Sequence, residues 1–290
     1  MKARVSIIVP IGNLSSNYSY ISKWLPHVPE DYQLIFAANY SETYNNESLK
    51  NLIKSASNNI IFVEGDFCGA AETRNACFDY IKATRVAFWD ADDRPVLENF
   101  ERMLERSLAL NSDCIIGGYS KFYLKSQKSK LILPTKDQII PQVAAELGLW
   151  RMVFKTEHVI NKKFPALNLA EDQIFFSELI NSFKTLDFFP ESVYRYNIGV
   201  PDQITGQKDN DKNLSLAINH VLSLIPESKH KQKTYLTLIL IKLIMSLFKR
   251  NKTLFIMQDF WKILFNLLFT SFFFKYKGLI PLLWHSLRIR

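Results

Sequence analysis

The 290-residue chain has few of the residues that build metal-bound or disulfide-linked scaffolds. Its three cysteines, Cys68, Cys77 and Cys114, are odd in number and lack Cys-x-x-Cys spacing, which argues against a zinc ribbon or a disulfide framework and favours a reducing cytosolic setting. The five histidines lie far apart without paired ligand spacing, and no Ser-His-Asp arrangement occurs. A histidine-ligated metal centre and a triad hydrolase are therefore not indicated.

Neither a phosphate-binding loop nor a signal peptide is predicted. There is no Walker-type loop and no dinucleotide fingerprint, and Gly12 alone does not make the glycine- and basic-rich loop of a nucleotidyltransferase. Residues 1–10 contain a short β-branched run without a small-residue cleavage site, so we expect them to begin the fold and not to form a signal peptide.

Acidic residues are scarce at the C-terminal end. Residues 229–290 carry 12 Lys and Arg and the single acid Asp259, a net charge of +11, whereas the rest of the chain carries 24 basic and 27 acidic residues, a net charge of −3. A basic tail on a slightly acidic body predicts a surface-binding element for anionic lipid or nucleic acid.

The body of the chain alternates between predicted strands and helices. Alternation of this kind predicts an α/β fold with a mostly parallel sheet, helices on both faces and a ligand site beyond the carboxyl ends of the strands. A polar turn is predicted at 125–130 and a short helix at 138–146. The β-branched and apolar runs predict strands at 5–10, 33–38, 60–64, 85–89 and 114–123, and the helical periodicity predicts helices at 47–56, 70–83 and 97–110.

Three carboxylates follow the fourth predicted strand directly, in Asp90-Ala91-Asp92-Asp93, and Arg94-Pro95 stops that strand. Hard cations such as Mg²⁺ and Mn²⁺ take oxygen ligands, commonly one or two carboxylates plus substrate phosphates. The competing interpretation is an acidic turn or a helix cap, where Asp is common.

A run of small residues, 69–75, follows the third strand and leads into a helix. It would let the backbone approach a ligand. Its Arg74 could pair with a phosphate or brace the acidic turn, or it could be an ordinary exposed helix arginine.

Four motifs follow one another along the chain: the strand that ends at Pro10, the segment 69–75 with its Arg-Asn pair, Asp90-Ala91-Asp92 and Glu171-Asp172. In their order and approximate spacing they resemble the family 2 glycosyltransferases of the GT-A fold, over residues 3–200. The resemblance implies a GT-A domain at 1–205. The basic and apolar pattern of the tail predicts a C-terminal helical, membrane-associating region at 206–290.

The resemblance assigns roles on the donor side. Asp90 would contact the ribose or uracil of the nucleotide, and Asp92 would hold Mn²⁺ or Mg²⁺ at the diphosphate, with Asp93 as a further metal candidate. Pro10 and Arg74 are also expected at the donor. Family members usually carry an aspartate after the second strand that reads the uracil ring; this chain has none there, so Asn39 or Asp66 would supply that contact.

The same resemblance gives Glu171-Asp172 the place of the general base. A carboxylate in a partly desolvated cleft can remove the proton of the acceptor hydroxyl in an inverting transfer. We assign Asp172 as the base with Glu171 as its neighbour, and the opposite assignment stays open, as does a plain helix N-terminal pair. Trp150 and Arg151 resemble the family's acceptor-side strand, although Trp150 also suits an ordinary core position.

Charged residues interrupt the apolar runs of the tail, so membrane-spanning helices are not predicted there. Lys242 and Lys262 break its apolar runs, which are shorter than the roughly 20 residues that a spanning helix needs. We expect residues 229–290 to lie at the membrane surface, which would place the protein on the cytoplasmic face of the inner membrane. Alternatives are a helical hairpin packed on the protein, an oligomer interface and a pair of short, distorted spans; nucleic acid is not favoured, because large aliphatic residues interleave with the basic ones.

The resemblance implies an inverting glycosyltransferase that uses a nucleotide sugar, in our expectation a UDP-sugar. Together with the tail it leads us to expect a glycan or lipid-linked acceptor in surface polysaccharide biosynthesis. The alternative is a membrane-tethered pseudoenzyme that binds glycan or nucleotide without catalysis.

Overall fold

The computed structural model describes residues 3–12, 14–40, 51–53, 56, 59–134, 147–200 and 211–250. Internal contacts divide the chain into two compact units. The first contains residues 1–134, 148–166 and 182–203, and the second contains residues 135–147, 167–181 and 204–290. The final segment of the second unit begins near the division predicted at 205, but this unit also includes the two internal segments.

The first unit is built on one mixed sheet. The strands are β1 (Val5–Ile11), β2 (Tyr32–Asn39), β3 (Asn59–Gly65), β4 (Arg85–Phe88), β5 (Arg94–Pro95), β6 (Cys114–Tyr123), β7 (Lys128–Ile132), β8 (Met152–Lys155) and β9 (Leu186–Ile198).

Within the described part of the chain the strand order is β3-β2-β1-β4-β8-β6-β9-β5, with β7 paired to β6. Strands β3, β2, β1 and β4 are parallel neighbours, as are β6 and β9, whereas β8 lies antiparallel between β4 and β6. The predicted, mostly parallel α/β architecture is confirmed.

Four helices of the first unit are described: α1 (Leu14–Trp24), α2 (Ala70–Ala76), α3 (Leu97–Leu110) and α4 (Thr156–Val159). Helix α3 has the predicted bounds, because Phe100, Met103, Leu104 and Ser107 place one stripe in the core. It ends at Asn111, which adopts the left-handed conformation at φ 51°.

Helix α2 ends at Ala76, seven residues before its predicted end. Two buried polar side chains of the sheet bind the backbone that follows. Gln33 Nε2 donates to the carbonyl of Tyr80 at 2.8 Å, and Ser6 Oγ accepts the N–H of Ala83 at 3.1 Å. Because these bonds satisfy backbone groups outside a helix, residues 80–83 leave the helical path and lead into β4.

Aromatic residues fill both faces of the sheet. On one face Trp89 contacts Trp24 and Phe100 edge to face, with ring centroids 5.4 and 5.1 Å apart. On the other face Phe88 packs edge to face against Phe164 at 5.4 Å and lies 6.4 Å from Phe78. Aromatic pairs in this geometry add to the stabilisation by buried area, so the core fixes the strand that carries the acidic residues.

The second unit is helical where it is described. Its helices are α5 (Glu171–Ile180), α6 (Asp211–Leu224) and α7 (His230–Arg250), and α6 packs against both others. Nearly every side chain from 234 to 245 is buried, which is typical of a helix inside a protein core. This part of the predicted surface-binding tail therefore fits the alternative of packed helices.

None of the described helices is both long enough and apolar enough to be a candidate for crossing a membrane. Residues 251–290, the predicted helix at 138–146 and most of the predicted helix at 47–56 lie outside the described residues.

Candidate functional site

The ends of four parallel strands bring the predicted donor-side residues to one edge of the sheet. Pro10 lies near the end of β1, where it pairs with Ala37 of β2, and Asn39 is the last residue of β2. Asp66 follows the last residue of β3, and Asp90 follows β4 after one residue. Since parallel strands end at the same edge, this is where such sheets bind ligands.

The acidic residues after β4 form a tight turn that β9 holds in place. The N–H of Asp93 donates to the carbonyl of Asp90 at 3.3 Å. Tyr194 Oη accepts the N–H of Asp90 at 2.8 Å and donates to the same residue's carbonyl at 3.3 Å. Burial, and then the charges of Asp93 and Asp90, raise the pKa of Tyr194 well above its usual range, so its hydroxyl stays protonated and available to the turn.

Asn197 is the second anchor of the turn. Its Nδ2 donates to the carbonyl of Asp92 at 2.7 Å, and its backbone N–H donates to Asp93 Oδ1 at 2.7 Å. Neither Tyr194 nor Asn197 is among the site residues predicted from the sequence. The signal that could have found them is weak, because an aromatic-rich strand 100 residues downstream carries no local mark of what it binds.

Asp93 is fully buried behind the turn. Burial, and then the charges of Asp92 and Asp90, raise the pKa of Asp93 well above its usual range. Asp92 is the less buried of the two carboxylates. The metal roles of Asp92 and Asp93 stay predictions.

Arg74 braces the turn from α2. One of its terminal nitrogens lies 3.1 Å from Asp90 Oδ1, and its guanidinium lies 5.3 Å from the centroid of the Phe164 ring. The neighbouring Asn75 exchanges two hydrogen bonds of 2.8 Å with the backbone of Phe164. Of the roles predicted for Arg74, the contact with Asp90 corresponds to the bracing of the acidic turn.

Asn39 and Asp66 belong to the loops beside the turn. Asn39 Oδ1 accepts the N–H of Phe67 at 2.6 Å, which ties the end of β2 to the loop after β3. Asp66 is exposed. The donor contacts of both residues stay predictions.

Trp150 lies against the strand that anchors the turn. Its ring stacks on those of Tyr194 and Tyr196, with centroids 4.7 and 5.5 Å apart, and Tyr119 packs on it edge to face at 4.9 Å. Arg151 is buried, with its guanidinium 4.9 Å from the centroid of Tyr119. The acceptor roles of Trp150 and Arg151 stay predictions, and the structure gives both residues packing partners.

The two carboxylates predicted to include the general base, Glu171 and Asp172, begin α5 in the second unit. Asp172 Oδ1 accepts the N–H of Gln173 at 2.8 Å. The preceding Ala170 adopts a left-handed conformation at φ 70°, which is uncommon for a residue with a side chain and typical of constrained functional segments. The base assignment stays a prediction.

A second acidic group lies at the opposite edge of the sheet. Within the described residues, Asp113, Glu157 and His158 are a group of three whose ligand atoms lie within 4.8 Å of one another. Lys155 Nζ is 3.0 Å from Asp113 Oδ1 and His158 Nε2 is 3.2 Å from the same oxygen. Because an ammonium already neutralises Asp113, we interpret this cluster as a structural ion pair at the start of β6.

The mostly parallel sheet, with an acidic turn after its fourth strand and an arginine braced against that turn, defines a glycosyltransferase of the GT-A type. The chain matches the description "Glycosyl transferase family 2" over residues 6–168, more than half of its length, and it belongs to this family. No curated protein matches the chain.

Solved structures share the fold at low sequence identity. The chain is similar to S. aureus TarS 1–349 in complex with UDP-GlcNAc, with a TM-score of 0.66 and 15% identity over 88% of this chain and 77% of that one. The complex of TarS 1–349 with UDP gives a TM-score of 0.66 and 14% identity over 91% and 79%. The mannosyltransferase PcManGT from Pyrobaculum calidifontis, in complex with GDP-Man and Mn²⁺, gives 0.59 and 13% over 99% and 86%.

Proposed function

We propose that this family 2 glycosyltransferase is an inverting enzyme that transfers a sugar from a UDP-sugar, with Mn²⁺ or Mg²⁺, to a glycan or lipid-linked acceptor. The observation that carries the proposal is the braced turn, in which Arg74 contacts Asp90 while Tyr194 and Asn197 hold the backbone of residues 90–92. A preorganised group of this kind costs no reorganisation when a substrate binds. The nucleotide sugars bound by TarS and PcManGT support the donor class.

The turn has the chemistry that a hard cation requires. Asp92 supplies a carboxylate, and the hydrogen bond from Asn197 to its carbonyl fixes the direction of its backbone. Mg²⁺ and Mn²⁺ use one or two carboxylates and complete their shell with phosphate oxygens and water. A bound cation would supply neutralisation of the charge that develops on the departing diphosphate.

The remaining roles belong to side chains of the chain. Arg74 holds the Asp90 carboxylate at the donor edge, and Asp172, or Glu171 in its place, removes the acceptor proton. An inverting transfer needs one general base, which removes the proton of the attacking hydroxyl. Either of the two adjacent carboxylates at the start of α5 can supply it.

For the acceptor and the location we propose a lipid-linked glycan of surface polysaccharide biosynthesis, reached on the cytoplasmic face of the inner membrane. Because residues 234–245 are buried, we assign membrane contact to residues 251–290, which carry six Lys and Arg and one acid in the sequence.

The membrane assignment is tested with the full-length chain and vesicles that contain anionic lipid. Replacing Lys262, Lys275 and Lys277 with Gln is expected to reduce vesicle binding, since each basic residue near an anionic surface contributes about 1 kcal/mol. The matched control replaces three exposed lysines of the β6–β7 hairpin, Lys125, Lys128 and Lys130, and keeps binding. Equal binding by both triple variants contradicts the assignment.

Asn39 favours one alternative function. Its amide occupies the place where the family's aspartate reads the base, and its oxygen is engaged by Phe67. A chain that lost donor recognition there would be a pseudoenzyme that binds glycan or nucleotide without catalysis.

One experiment separates the two functions. Hydrolysis of common nucleotide sugars is measured with and without Mn²⁺ for the native chain, for Asp92→Ala and for Asp79→Ala, an exposed acid of the same unit. The enzyme proposal expects metal-dependent turnover that Asp92→Ala removes and Asp79→Ala retains. Turnover that ignores both metal and Asp92, or no turnover with any donor, overturns it.

A further inference from the structure

A cavity of about 300 Å³ lies behind the acidic turn in the first unit. Its described walls come from α1, from Arg94 at the end of the turn, from β9 and from the hairpin of β6 and β7. Its lining includes Asp93 and Asn197 but, among the described residues, not Asp90, Asp92 or Arg74. The cavity therefore borders the acidic turn without including the predicted donor contacts. This volume is at the small end of ligand pockets, which suits a monosaccharide-sized molecule better than a whole nucleotide sugar.

Three cations surround the cavity: Lys23, Arg94 and Arg195. Arg195 packs its guanidinium 3.4 Å from the centroid of the Phe122 ring, and it shares β-pairing with Arg94. Burial, and then the charge of Arg94, lower the pKa of Arg195, in agreement with the pairing of these two residues in the sheet. Clustered guanidinium and ammonium groups are the usual binding partners of phosphate.

The buried Asp93 carboxyl offers the cavity a hydrogen-bonding group. Asp93 lines it and is fully buried; its Oδ1 accepts the Asn197 N–H, whereas its Oδ2 has no hydrogen-bond partner in the described part of the chain. A buried polar atom without a partner is costly, so a native structure that keeps one has a reason for it. The hydroxyl of a ligand would satisfy this oxygen.

Aromatic rings complete the wall. Tyr20 and Phe122 both line the cavity, and Lys23 Nζ lies 5.8 Å from the centroid of the Tyr20 ring. Rings of this kind pack against the apolar face of a sugar. The site thus combines cations, aromatic surface and a buried hydrogen-bonding carboxyl.

We propose that this cavity is an accessory binding site for a phosphorylated sugar, which places its phosphate among Lys23, Arg94 and Arg195 and a hydroxyl on Asp93. The site differs from the proposed donor contacts, since none of Lys23, Arg94 and Arg195 is assigned to the donor.

The test measures binding of glucose 6-phosphate, inorganic phosphate and glucose to the full chain by calorimetry, in EDTA so that no metal holds phosphate at Asp92. Glucose 6-phosphate is expected to bind at least about fivefold more tightly than inorganic phosphate, and glucose not measurably. Lys23→Gln and Arg94→Gln alter exposed side chains and are expected to weaken glucose 6-phosphate binding by about tenfold each. Lys82→Gln, at an exposed lysine outside the cavity, keeps the native affinity.

A donor-edge variant makes the result specific. Arg74→Gln keeps glucose 6-phosphate binding if the cavity is the site and loses it if the ligand occupies the donor edge. The proposal is overturned by loss of binding in Arg74→Gln, by native affinity in both Lys23→Gln and Arg94→Gln, by equal affinity for phosphate and glucose 6-phosphate, or by no binding of any probe.

Discussion

The hydroxyl of Tyr194 accepts a 2.8 Å hydrogen bond from the backbone N–H of Asp90, a residue 104 positions earlier in the chain. The Tyr194 ring also stacks on Trp150 with centroids 4.7 Å apart. One buried tyrosine therefore sets both the position of the acidic turn and the packing beneath it. The acidic turn is therefore positioned by β9 as much as by β4, the strand that it follows.

Tyr194→Phe tests this anchor. The substitution keeps the ring stack but removes the partner of the Asp90 N–H, so we expect the free energy of unfolding to fall by about 1–3 kcal/mol and donor hydrolysis to fall with it. Urea denaturation and the hydrolysis assay measure the two effects. Tyr123→Phe, at an exposed tyrosine that ends β6, is the control and changes neither. Native stability and turnover in Tyr194→Phe contradict the role of the hydroxyl.

The choice between Asp172 and Glu171 as base is resolved by two isosteric variants. Asp172→Asn is expected to lower turnover of the donor by about 10²- to 10⁴-fold, the usual contribution of general base catalysis, and Glu171→Gln by less than about tenfold. Donor binding, measured by calorimetry, should stay native in both variants because neither is assigned to the donor. The reverse ranking moves the base to Glu171, and a native rate in both removes the pair from catalysis.

Asp113 makes a pH-dependent contribution to stability. Burial alone would raise the pKa of Asp113, but hydrogen bonds from the Thr185 N–H, from Lys155 and from the Lys184 N–H outweigh it and hold the pKa well below the usual range. A carboxyl with a lowered pKa in the folded state stabilises the fold above its unfolded pKa of about 4, and this contribution is lost as pH falls through the folded pKa.

Asp113→Asn is therefore expected to lower the free energy of unfolding by about 1–3 kcal/mol at pH 7 and to flatten its decline below about pH 4. Urea denaturation at pH 7, 4 and 3 measures both effects. Asp79→Asn, an exposed acid of the same unit, serves as the control. A decline with the native slope in Asp113→Asn contradicts the assignment.

Gly148 allows the close approach of Trp150. Gly148 has φ +49°, and a Cβ there would lie 2.7 Å from Trp150 Cζ2, in a ring that the stacked tyrosines hold in place. Gly148→Ala is expected to cost about 2 kcal/mol or more, from the left-handed backbone and the displaced ring, and to change native tryptophan fluorescence. Gly12→Ala, where a Cβ meets nothing within 4 Å, should change neither stability nor fluorescence.

Elements with a local signal were predictable from the sequence. Helix α3 agrees with its predicted bounds because its apolar stripe repeats with the helical period, and β1 to β3 agree within one residue because short apolar runs have few alternatives. Helix α2 was predicted seven residues too long, because Ser6 and Gln33, which redirect the chain after it, belong to distant strands.

The amino-acid sequence by itself determined the α/β architecture, the family, and the placement of Asp90, Asp92 and Arg74 after parallel strands, since periodicity and strand order are local properties. Only the tertiary structure decided that Asp93 turns into the interior and that Tyr194 and Asn197 hold the turn. Those contacts join residues about 100 positions apart, and hydrogen bonds of that kind exist only once β9 has been placed in the sheet.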